Sequence, residues 1–188
     1  MNSYLIEYGT YVKEHNIKNY VELDVDQIVG VNETRKLRDK LESFVGYPSI
    51  LVWHSIRGKE AFIRDAKDYN YMALGFFLTE GLPASLTDKY AGAFVDIAHK
   101  NNCRIHGLGY TKFGMLEKIP FDSVDSSKLS SSYRYGYLHH FDIKKRRVVY
   151  TRPEGMRMKN SMALVRPSFI EWRKYQDWAL NNLSPIWD

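Results

Sequence analysis

The sequence contains one cysteine, Cys103, among its 188 residues. A single thiol excludes a disulfide framework within the chain, and it excludes a zinc site built from several cysteines. Such sparing use of cysteine is typical of proteins that work in a reducing compartment. We therefore expect a cytoplasmic protein.

Long hydrophobic runs are also absent. The apolar stretches are far shorter than the roughly 20 residues that a helix needs to cross a bilayer. The first 16 residues contain neither a basic leader nor a small-residue cleavage site, so they do not resemble a secretory signal. No membrane partner is expected.

The length sets a further limit. With 44% hydrophobic and 26% charged residues, the composition is that of an ordinary globular chain with one sizeable core. An eight-fold α/β barrel needs roughly 250 residues. The sequence printed here is therefore too short for a complete barrel of that kind.

Short apolar runs alternate with stretches of helical periodicity along the first two thirds of the chain. The runs are 20–23 (YVEL), 50–54 (ILVWH), 71–75 (YMALG), 104–107 (RIHG) and 121–124 (FDSV). Such alternation is typical of parallel strands that are joined by right-handed crossovers and covered by helices. The predicted fold is α/β, with about five parallel strands in residues 1–125.

Helices are predicted at the N-terminus and between these runs. The spacing of apolar residues predicts two longer helices around 37–45 and 86–98. Residues 85–88 have the pattern of a capping box at the start of the second one. A shorter helix is predicted over 57–68 and a marginal one over 111–118.

The pattern changes after residue 125. Runs at 135–141 and 147–150 flank a polar turn and predict an antiparallel hairpin. A helix rich in aromatic residues follows, and its stripe is expected to pack in the core rather than to stack on nucleic acid. The stripe consists of Phe169, Trp172, Tyr175, Trp178 and Leu183. We assign residues 126–188 to the same domain as residues 1–125.

Basic residues exceed acidic ones, with 27 Lys and Arg against 22 Asp and Glu and a net charge of +5. The excess is concentrated between residues 144 and 173. Its densest part is the predicted hairpin turn, with Lys144, Lys145, Arg146 and Arg147. Two interpretations remain open for this turn, a solvated loop and a contact with nucleic-acid phosphates.

Ionisable residues follow most of the predicted strands. They are Asp24 and Asp26, His54, Glu80 after Gly75, His106 before Gly107, and the pair Asp122 and Asp125. Because the carboxyl ends of parallel strands meet at one edge, we expect a cleft there. Each histidine is as compatible with a structural hydrogen bond as with catalysis. Asp122 lies within an apolar run, where a desolvated carboxylate is typical of a nucleophile or metal ligand.

Five segments together resemble the latter two thirds of the tRNA-guanine transglycosylase (queuine tRNA-ribosyltransferase) superfamily, above all its small phage-borne branch. They are 21–26 (VELDVD), 52–54 (VWH), 71–75 (YMALG), 105–109 (IHGLG) and 121–126 (FDSVDS). The resemblance extends from about residue 5 to residue 180, and its most specific part is the order and spacing of the last two segments. It implies an incomplete (β/α) TIM-type barrel and, for a phage-encoded chain, the host cytoplasm.

The resemblance also implies an activity, the exchange of guanine for a purine or 7-deazapurine base in tRNA or DNA, without a cofactor. In the family an aspartate attacks the ribose C1′ and expels guanine, and the incoming base then displaces the aspartate. Asp122 stands at the position of this nucleophile, with Asp125 as the alternative. Asp24, with Asp26 as its rival, stands where a carboxylate binds the base of a flipped-out nucleotide.

Further substrate contacts follow from the same resemblance. Gly75 and Glu80 belong to the strand end that presents backbone groups to the base in the family. His106 and Gly107 match the segment before the last strand, and His54 ends the matching second run. The basic turn at 144–147 is the candidate contact to the polymer.

The chain also departs from the family pattern. It lacks the zinc site of three cysteines and one histidine that the tRNA enzymes carry, so no metal is expected. Phe76 replaces a glycine and would narrow the base pocket, and residues 125–127 (DSS) replace a proline-threonine-arginine. The first strands of the family barrel are missing. Since five strands cannot close a barrel, two arrangements remain open: a homodimer or second chain supplies the other strands, or the sheet stays open with its edges covered by the C-terminal hairpin.

Two other functions remain open. The chain is compatible with a non-catalytic relative, truncated or encoded by a split gene. It is also compatible with a metal-dependent hydrolase on a similar barrel, in which His54, His106 and Asp122 bind one divalent ion.

Overall fold

The structure is a computed structural model that describes residues 2–75, 84–111, 114–152 and 162–183. The chain divides into two units, Met1–Leu108 (unit 1) and Gly109–Asp188 (unit 2). The sequence pattern changes at residue 125, and a single domain with that internal boundary stays a prediction. No helix in the described part of the chain is both long and apolar enough to span a bilayer.

Unit 1 consists of helices and parallel strands. Its helices are α1 (Asn2–Glu14), α2 (Asp26–Val29), α3 (Val31–Val45), α4 (Lys59–Asp68) and α5 (Ala84–Lys100), and its strands are β1 (Leu51–Trp53), β2 (Tyr71–Leu74) and β3 (Arg104–Gly107). The three strands pair in parallel, with Leu51 opposite Met72 and Met72 opposite Ile105. The predicted α/β fold with parallel strands is therefore confirmed for this unit. The first predicted strand forms a single parallel bridge, from Val21 to Ile50.

The sheet lies in the core of unit 1. All three residues of β1 are buried, as are Met72, Ala73 and Leu74 of β2. Burial on both faces explains why these runs are apolar without alternation. The Trp53 ring packs against those of Phe62 on α4 and Phe94 on α5, at centroid distances of 5.4 and 4.5 Å.

A second apolar cluster joins α1 to α3. Leu5 and Val12 of α1 are buried with Leu37 and Leu41 of α3, at the spacing that the helical periodicity predicts. Gly46 ends α3 with a positive φ of 99°, and its N–H donates to the carbonyl of Glu42. Glycine adopts this left-handed conformation without strain, so the chain turns there toward β1.

Unit 2 contains the predicted hairpin and C-terminal helix. Its elements are β4 (Ser123–Val124), α6 (Ser130–Tyr135), β5 (Leu138–Asp142), β6 (Arg147–Thr151) and α7 (Met162–Asn182). Strands β5 and β6 pair antiparallel, as predicted. The hairpin is fixed to α7, because the N–H of His139 donates to Ser168 Oγ at 3.1 Å and that of Phe141 donates to Glu171 Oε2 at 2.8 Å.

Some local predictions were wrong. Residues 114–118 form turns rather than a helix, because Gly114 has a positive φ of 78°, which a right-handed helix excludes. Helix α4 begins at Lys59 instead of residue 57, after a 3₁₀ turn at Ser55–Arg57. Phe169 was expected in the core and is 48% exposed, whereas Tyr175 of the same helix is buried. Leu183 follows the end of α7, and the side chains of the predicted capping box at 85–88 lie outside the described residues except for that of Asp88.

Candidate functional site

The carboxyl ends of the parallel strands lie side by side in unit 1. His54 follows β1, Gly75 follows β2, and Gly107 ends β3. The N–H of Gly75 donates to the carbonyl of Trp53 at 2.9 Å, and that of Leu108 donates to the carbonyl of Leu74 at 3.2 Å. The sequence expectation that these strand ends meet at one edge is therefore fulfilled for β1, β2 and β3.

His54 connects this edge to Asp24. Its Nε2 lies 2.7 Å from Asp24 Oδ1, and its Nδ1 lies 3.2 Å from the carbonyl oxygen of Gly75. Both partners are acceptors, so both hydrogen bonds form only when each ring nitrogen carries a proton. The hydrogen bond to Asp24 accordingly raises the pKa of His54, against the opposing effect of burial. The pair is best described as an imidazolium and a carboxylate.

Gly75 leaves room for the His54 ring. A Cβ built on Gly75 would overlap the ring carbon Cε1 and would lie only 2.7 Å from Nδ1. Any larger residue would push the imidazole away from its two acceptors. The sequence indicated Gly75 as a backbone contact to a base, and the structure places its carbonyl against His54.

Asp24 is the accessible member of this group. Its side chain is 36% exposed, whereas that of His54 is 5% exposed. Within the described residues, the only hydrogen bond of the Asp24 carboxylate is the one to His54 through Oδ1. The other oxygen therefore remains able to accept a hydrogen bond from a ligand, while the buried imidazolium fixes the orientation of the carboxylate.

Asp26 has a different environment. Arg57 binds both of its carboxylate oxygens, with Nε at 2.6 Å from Oδ2 and Nη2 at 2.9 Å from Oδ1. The same Nη2 lies 2.9 Å from Glu22 Oε1, and all three side chains are fully buried. We call these three residues the buried ion cluster. Because both Asp26 oxygens are occupied, Asp24 is the better candidate for a ligand contact.

The two carboxylates of the buried ion cluster differ in pKa. Burial raises the pKa of Glu22 to about 7, and the charges of Arg57 and Arg38 and the hydrogen bond from the Val52 N–H only partly oppose this. Burial also acts on Asp26, but the paired hydrogen bonds and charge of Arg57 outweigh it and lower the pKa. Bidentate hydrogen bonding by a guanidinium thus decides which carboxyl group keeps its charge.

The sequence analysis missed Glu22 and Arg57. A usable signal was present, since Glu22 is a charge inside the apolar run 20–23 and Arg57 comes three residues after the run 50–54, which ends with His54. A buried charge needs a partner of opposite sign. Two such residues in buried positions therefore indicate an ion pair.

The remaining candidates of unit 1 lie on β3 or outside the described residues. His106 is half-buried and lies opposite Ala73 in the parallel register, and Gly107 is buried opposite Leu74. Glu80 and Phe76 lie outside the described residues, so their predicted roles stay predictions.

Asp122 and Asp125 lie in unit 2 on either side of β4. Asp122 is half-buried, whereas Asp125 is exposed. One oxygen of Asp125 accepts a hydrogen bond from the backbone N–H of Gly109 at 2.5 Å. Asp125 therefore holds the backbone at Gly109, which is a structural use of its carboxylate.

The basic turn is exposed between β5 and β6. Lys145 pairs with Asp142 at 3.3 Å and Arg146 with Glu117 at 3.3 Å. Lys144 and Arg147 have no ion pair with any described residue. Two of the four basic side chains of the turn are therefore not neutralised by a described residue.

A serine and histidine pair in unit 2 has the composition of a catalytic dyad. Ser131 Oγ lies 2.9 Å from His139 Nε2, and Trp172 Nε1–H donates to His139 Nδ1 at 2.7 Å. Because Nδ1 accepts, the neutral ring carries its proton on Nε2 and donates it to the serine. Burial also lowers the pKa of His139. The ring therefore cannot take a proton from Ser131, and the group is structural.

The metal-hydrolase alternative has no centre in the described part of the chain. No group of three or more His, Cys, Asp or Glu side chains is placed there to hold a metal ion. Both ring nitrogens of His54 also face acceptors, which leaves it no lone pair for coordination.

The Asp24–His54 pair at the strand edge of unit 1 and the acidic segment around β4 in unit 2 are thus the candidate functional residues. No family model, no curated protein and no solved structure matches the chain.

Proposed function

We propose that the chain is a transglycosylase-like pentosyltransferase that exchanges guanine for a 7-deazaguanine-type base in tRNA or DNA. The observation that carries this proposal is the Asp24–His54 pair. It presents a fixed, partly exposed carboxylate at the carboxyl edge of a parallel sheet, which is where α/β enzymes bind their ligands.

Asp24 has the properties that recognition of a purine requires. An ionised carboxylate accepts hydrogen bonds from the N–H groups of guanine. The hydrogen bond from His54 Nε2 orients the Asp24 carboxylate, and burial of the imidazole limits the motion of the pair. Asp26 begins α2 and binds Arg57, so we assign it no contact with the base.

Asp122 is the proposed nucleophile. Its carboxylate oxygen forms a bond to C1′ while the C1′–N9 bond to guanine breaks, and guanine leaves with the electron pair and takes up a proton. The incoming base then loses its N9 proton and bonds to C1′, which releases the carboxylate. Asp125 is less suited to this role, because one of its oxygens already accepts from the backbone of Gly109.

The proposed architecture is an incomplete (β/α) TIM-type barrel that works in the cytoplasm, or in the host cytoplasm for a phage-encoded chain. The parallel order of β1, β2 and β3 and their crossover helices support it. The remaining strands would come from a second copy or a second chain. Sedimentation of the purified chain tests whether a second copy supplies the remaining strands. A self-associated particle is expected, and a monomer that exchanges bases would contradict the proposed arrangement.

The test of the activity is the exchange of labelled guanine into tRNA and into DNA by the full chain. Asp122→Asn should abolish exchange, Asp24→Asn should reduce it mainly through a higher KM for the base, and Asp177→Asn, an exposed aspartate on α7, should leave it unchanged. With the incoming base omitted, a covalent protein–nucleic acid adduct that survives denaturation is expected for the wild type and for Asp177→Asn, but not for Asp122→Asn.

Full exchange by Asp122→Asn would eliminate the nucleophile assignment. A folded wild-type protein without exchange on either polymer would leave the non-catalytic relative as the remaining interpretation.

A further inference from the structure

Three tyrosine rings form a continuous row at the open end of the hairpin in unit 2. The rings of Tyr135 and Tyr137 are 6.3 Å apart, and those of Tyr137 and Tyr150 are 6.4 Å apart. Tyr135 is 60% exposed and Tyr150 is 42% exposed. The accessible aromatic surfaces of Tyr135 and Tyr150 thus belong to one row of rings, with Tyr137 between them.

Two arginines flank this row. Arg134 directly precedes Tyr135 at the end of α6, and Arg152 follows β6 two residues after Tyr150. In the antiparallel register Leu138 lies opposite Thr151, so one further step brings Arg152 opposite Tyr137. Both arginines are exposed, and neither forms an ion pair with a described residue. We call these five residues the Tyr–Arg patch.

The charge of unit 2 favours an anionic occupant. Its sequence contains 14 Lys and Arg residues against 8 Asp and Glu, a net charge of +6. The described carboxylates Glu117, Asp142 and Glu171 pair with basic residues other than the two arginines of the patch. A negatively charged polymer would therefore meet unneutralised guanidinium groups beside the rings.

We infer that the Tyr–Arg patch binds an unpaired segment of a nucleic acid, with bases stacked on the tyrosines and phosphates on the arginines. Exposed ring faces stack only on bases that are not already stacked in a duplex. Arginine supplies the bidentate contacts that phosphate accepts. This inference deepens the proposed function, because it assigns the unpaired strand of the polymer substrate to a defined surface.

The experiment measures binding by fluorescence anisotropy, with a labelled 12-nucleotide single-stranded DNA and the same sequence as a blunt duplex. The full-length wild type should bind the single strand more tightly than the duplex. Tyr135→Leu should weaken single-strand binding by about 5- to 150-fold, as expected for the loss of one stacked base. Tyr135→Phe keeps the ring face and should retain wild-type affinity.

Matched variants separate the patch from general effects. Tyr4→Leu removes a tyrosine of similar exposure from α1 of unit 1 and should have no effect on binding. Arg134→Gln and Arg152→Gln should each lower the slope of log K against log salt by about 0.7. Tyr150 also contacts the ring of His139 at 4.8 Å, so the fold of Tyr150→Leu is checked by far-ultraviolet circular dichroism and the urea midpoint.

Equal losses in Tyr135→Leu and Tyr4→Leu would overturn the inference, as would a preference for the duplex or binding that does not depend on salt. Guanine exchange on the same preparations separates the two proposals. Active protein whose Tyr135→Leu variant binds normally contradicts the patch alone, whereas inactive protein that binds through the patch contradicts the exchange alone.

Discussion

The two units of the chain use their charged residues in opposite ways. Unit 1 is nearly balanced, with 13 basic and 14 acidic residues, and it buries Glu22, Asp26 and Arg57 together. Unit 2 has 14 basic and 8 acidic residues and exposes Lys144 and Arg147 at its hairpin turn.

Location decides what each set of charges can do. A buried ion pair is shielded from salt and tied to the fold, so its loss is measured in stability. An exposed cation contributes little to stability and keeps its attraction for a polyanion. Unit 1 is therefore expected to respond to substitution by unfolding, and unit 2 by losing affinity for nucleic acid.

The largest effect is expected for Arg57→Met. The substitution leaves the buried Asp26 without its cation and Glu22 with Arg38 alone, 3.9 Å from Oε2, and the free energy of unfolding should fall by about 3–5 kcal/mol. Urea denaturation measures it. Lys36→Met is the matched control, since its partner Glu33 is 3.1 Å away but both side chains are exposed, and it should cost less than about 1 kcal/mol. Equal costs would show that burial does not distinguish the two pairs.

The next largest effect is expected for Gly75→Ala. The new Cβ would overlap the His54 ring, and the free energy of unfolding should fall by about 1–3 kcal/mol. A double-mutant cycle with His54→Ala checks the cause. Without the ring the methyl group has space, so Gly75→Ala should cost much less in that background. If Gly75→Ala lowered the free energy of unfolding equally in both backgrounds, the clash would not be with the His54 ring.

A smaller effect is expected from pH on unit 1. The pKa of His54 is raised in the folded state, so its stabilisation is complete below the unfolded value and is lost as pH rises through the folded value. Glu22, with a pKa of about 7 against 4.5, acts in the same direction, because the folded state retains a proton that the unfolded state releases. The free energy of unfolding should therefore decrease as the pH rises from the unfolded-state pKa values of these two groups through their raised folded-state values.

NMR titration of the His54 ring measures the contribution of His54 separately from that of Glu22. Asp24→Asn removes the strongest partner and should lower the pKa of His54, while Asp39→Asn, an exposed aspartate, should leave it unchanged. If the pKa of His54 is the same in Asp24→Asn as in the wild type, the description of the pair as an imidazolium and a carboxylate is wrong.

The smallest effect is expected at the basic turn. Lys144→Gln and Arg147→Gln should each reduce the salt slope of single-strand binding by about 0.7 without changing the urea midpoint. Lys145→Gln is the comparison, because Lys145 already pairs with Asp142 at 3.3 Å and should contribute less. A larger change for Lys145 than for Lys144 would contradict the idea that neutralised charges are poor phosphate contacts.

Much of the fold could be predicted from the sequence, since it depends on local periodicity. The runs that became β1, β2 and β3, the hairpin, and helices α1, α3 and α7 were all predicted. The prediction of a helix over 111–118 was wrong because a periodicity pattern registers only the apolar residues. It does not reveal that Gly114 takes a positive φ. Phe169 was misplaced because periodicity shows which residues share a face of α7 but not how much of that face is covered, and Phe169 is 48% exposed where Tyr175 is buried.

The candidate site was predictable in its members but not in their roles. Asp24, Asp26 and His54 were identified because they follow apolar runs. That Asp24 pairs with His54 while Asp26 pairs with Arg57 could not be predicted, since the two aspartates differ by two positions and the outcome depends on where α2 begins. The tyrosine row was equally hidden, because Tyr135, Tyr137 and Tyr150 meet only through the strand register.

The sequence by itself determined the order of the elements, the apolar identity of the strands and the excess of basic residues after residue 108. Each of these follows from the composition of a short window or from a count. The tertiary structure alone decided which charges are buried, which histidine nitrogens are protonated and which carboxylate remains accessible. These properties depend on distances between residues far apart in the chain, and a change of a few ångströms alters a hydrogen bond or a pKa without leaving any trace in the local pattern.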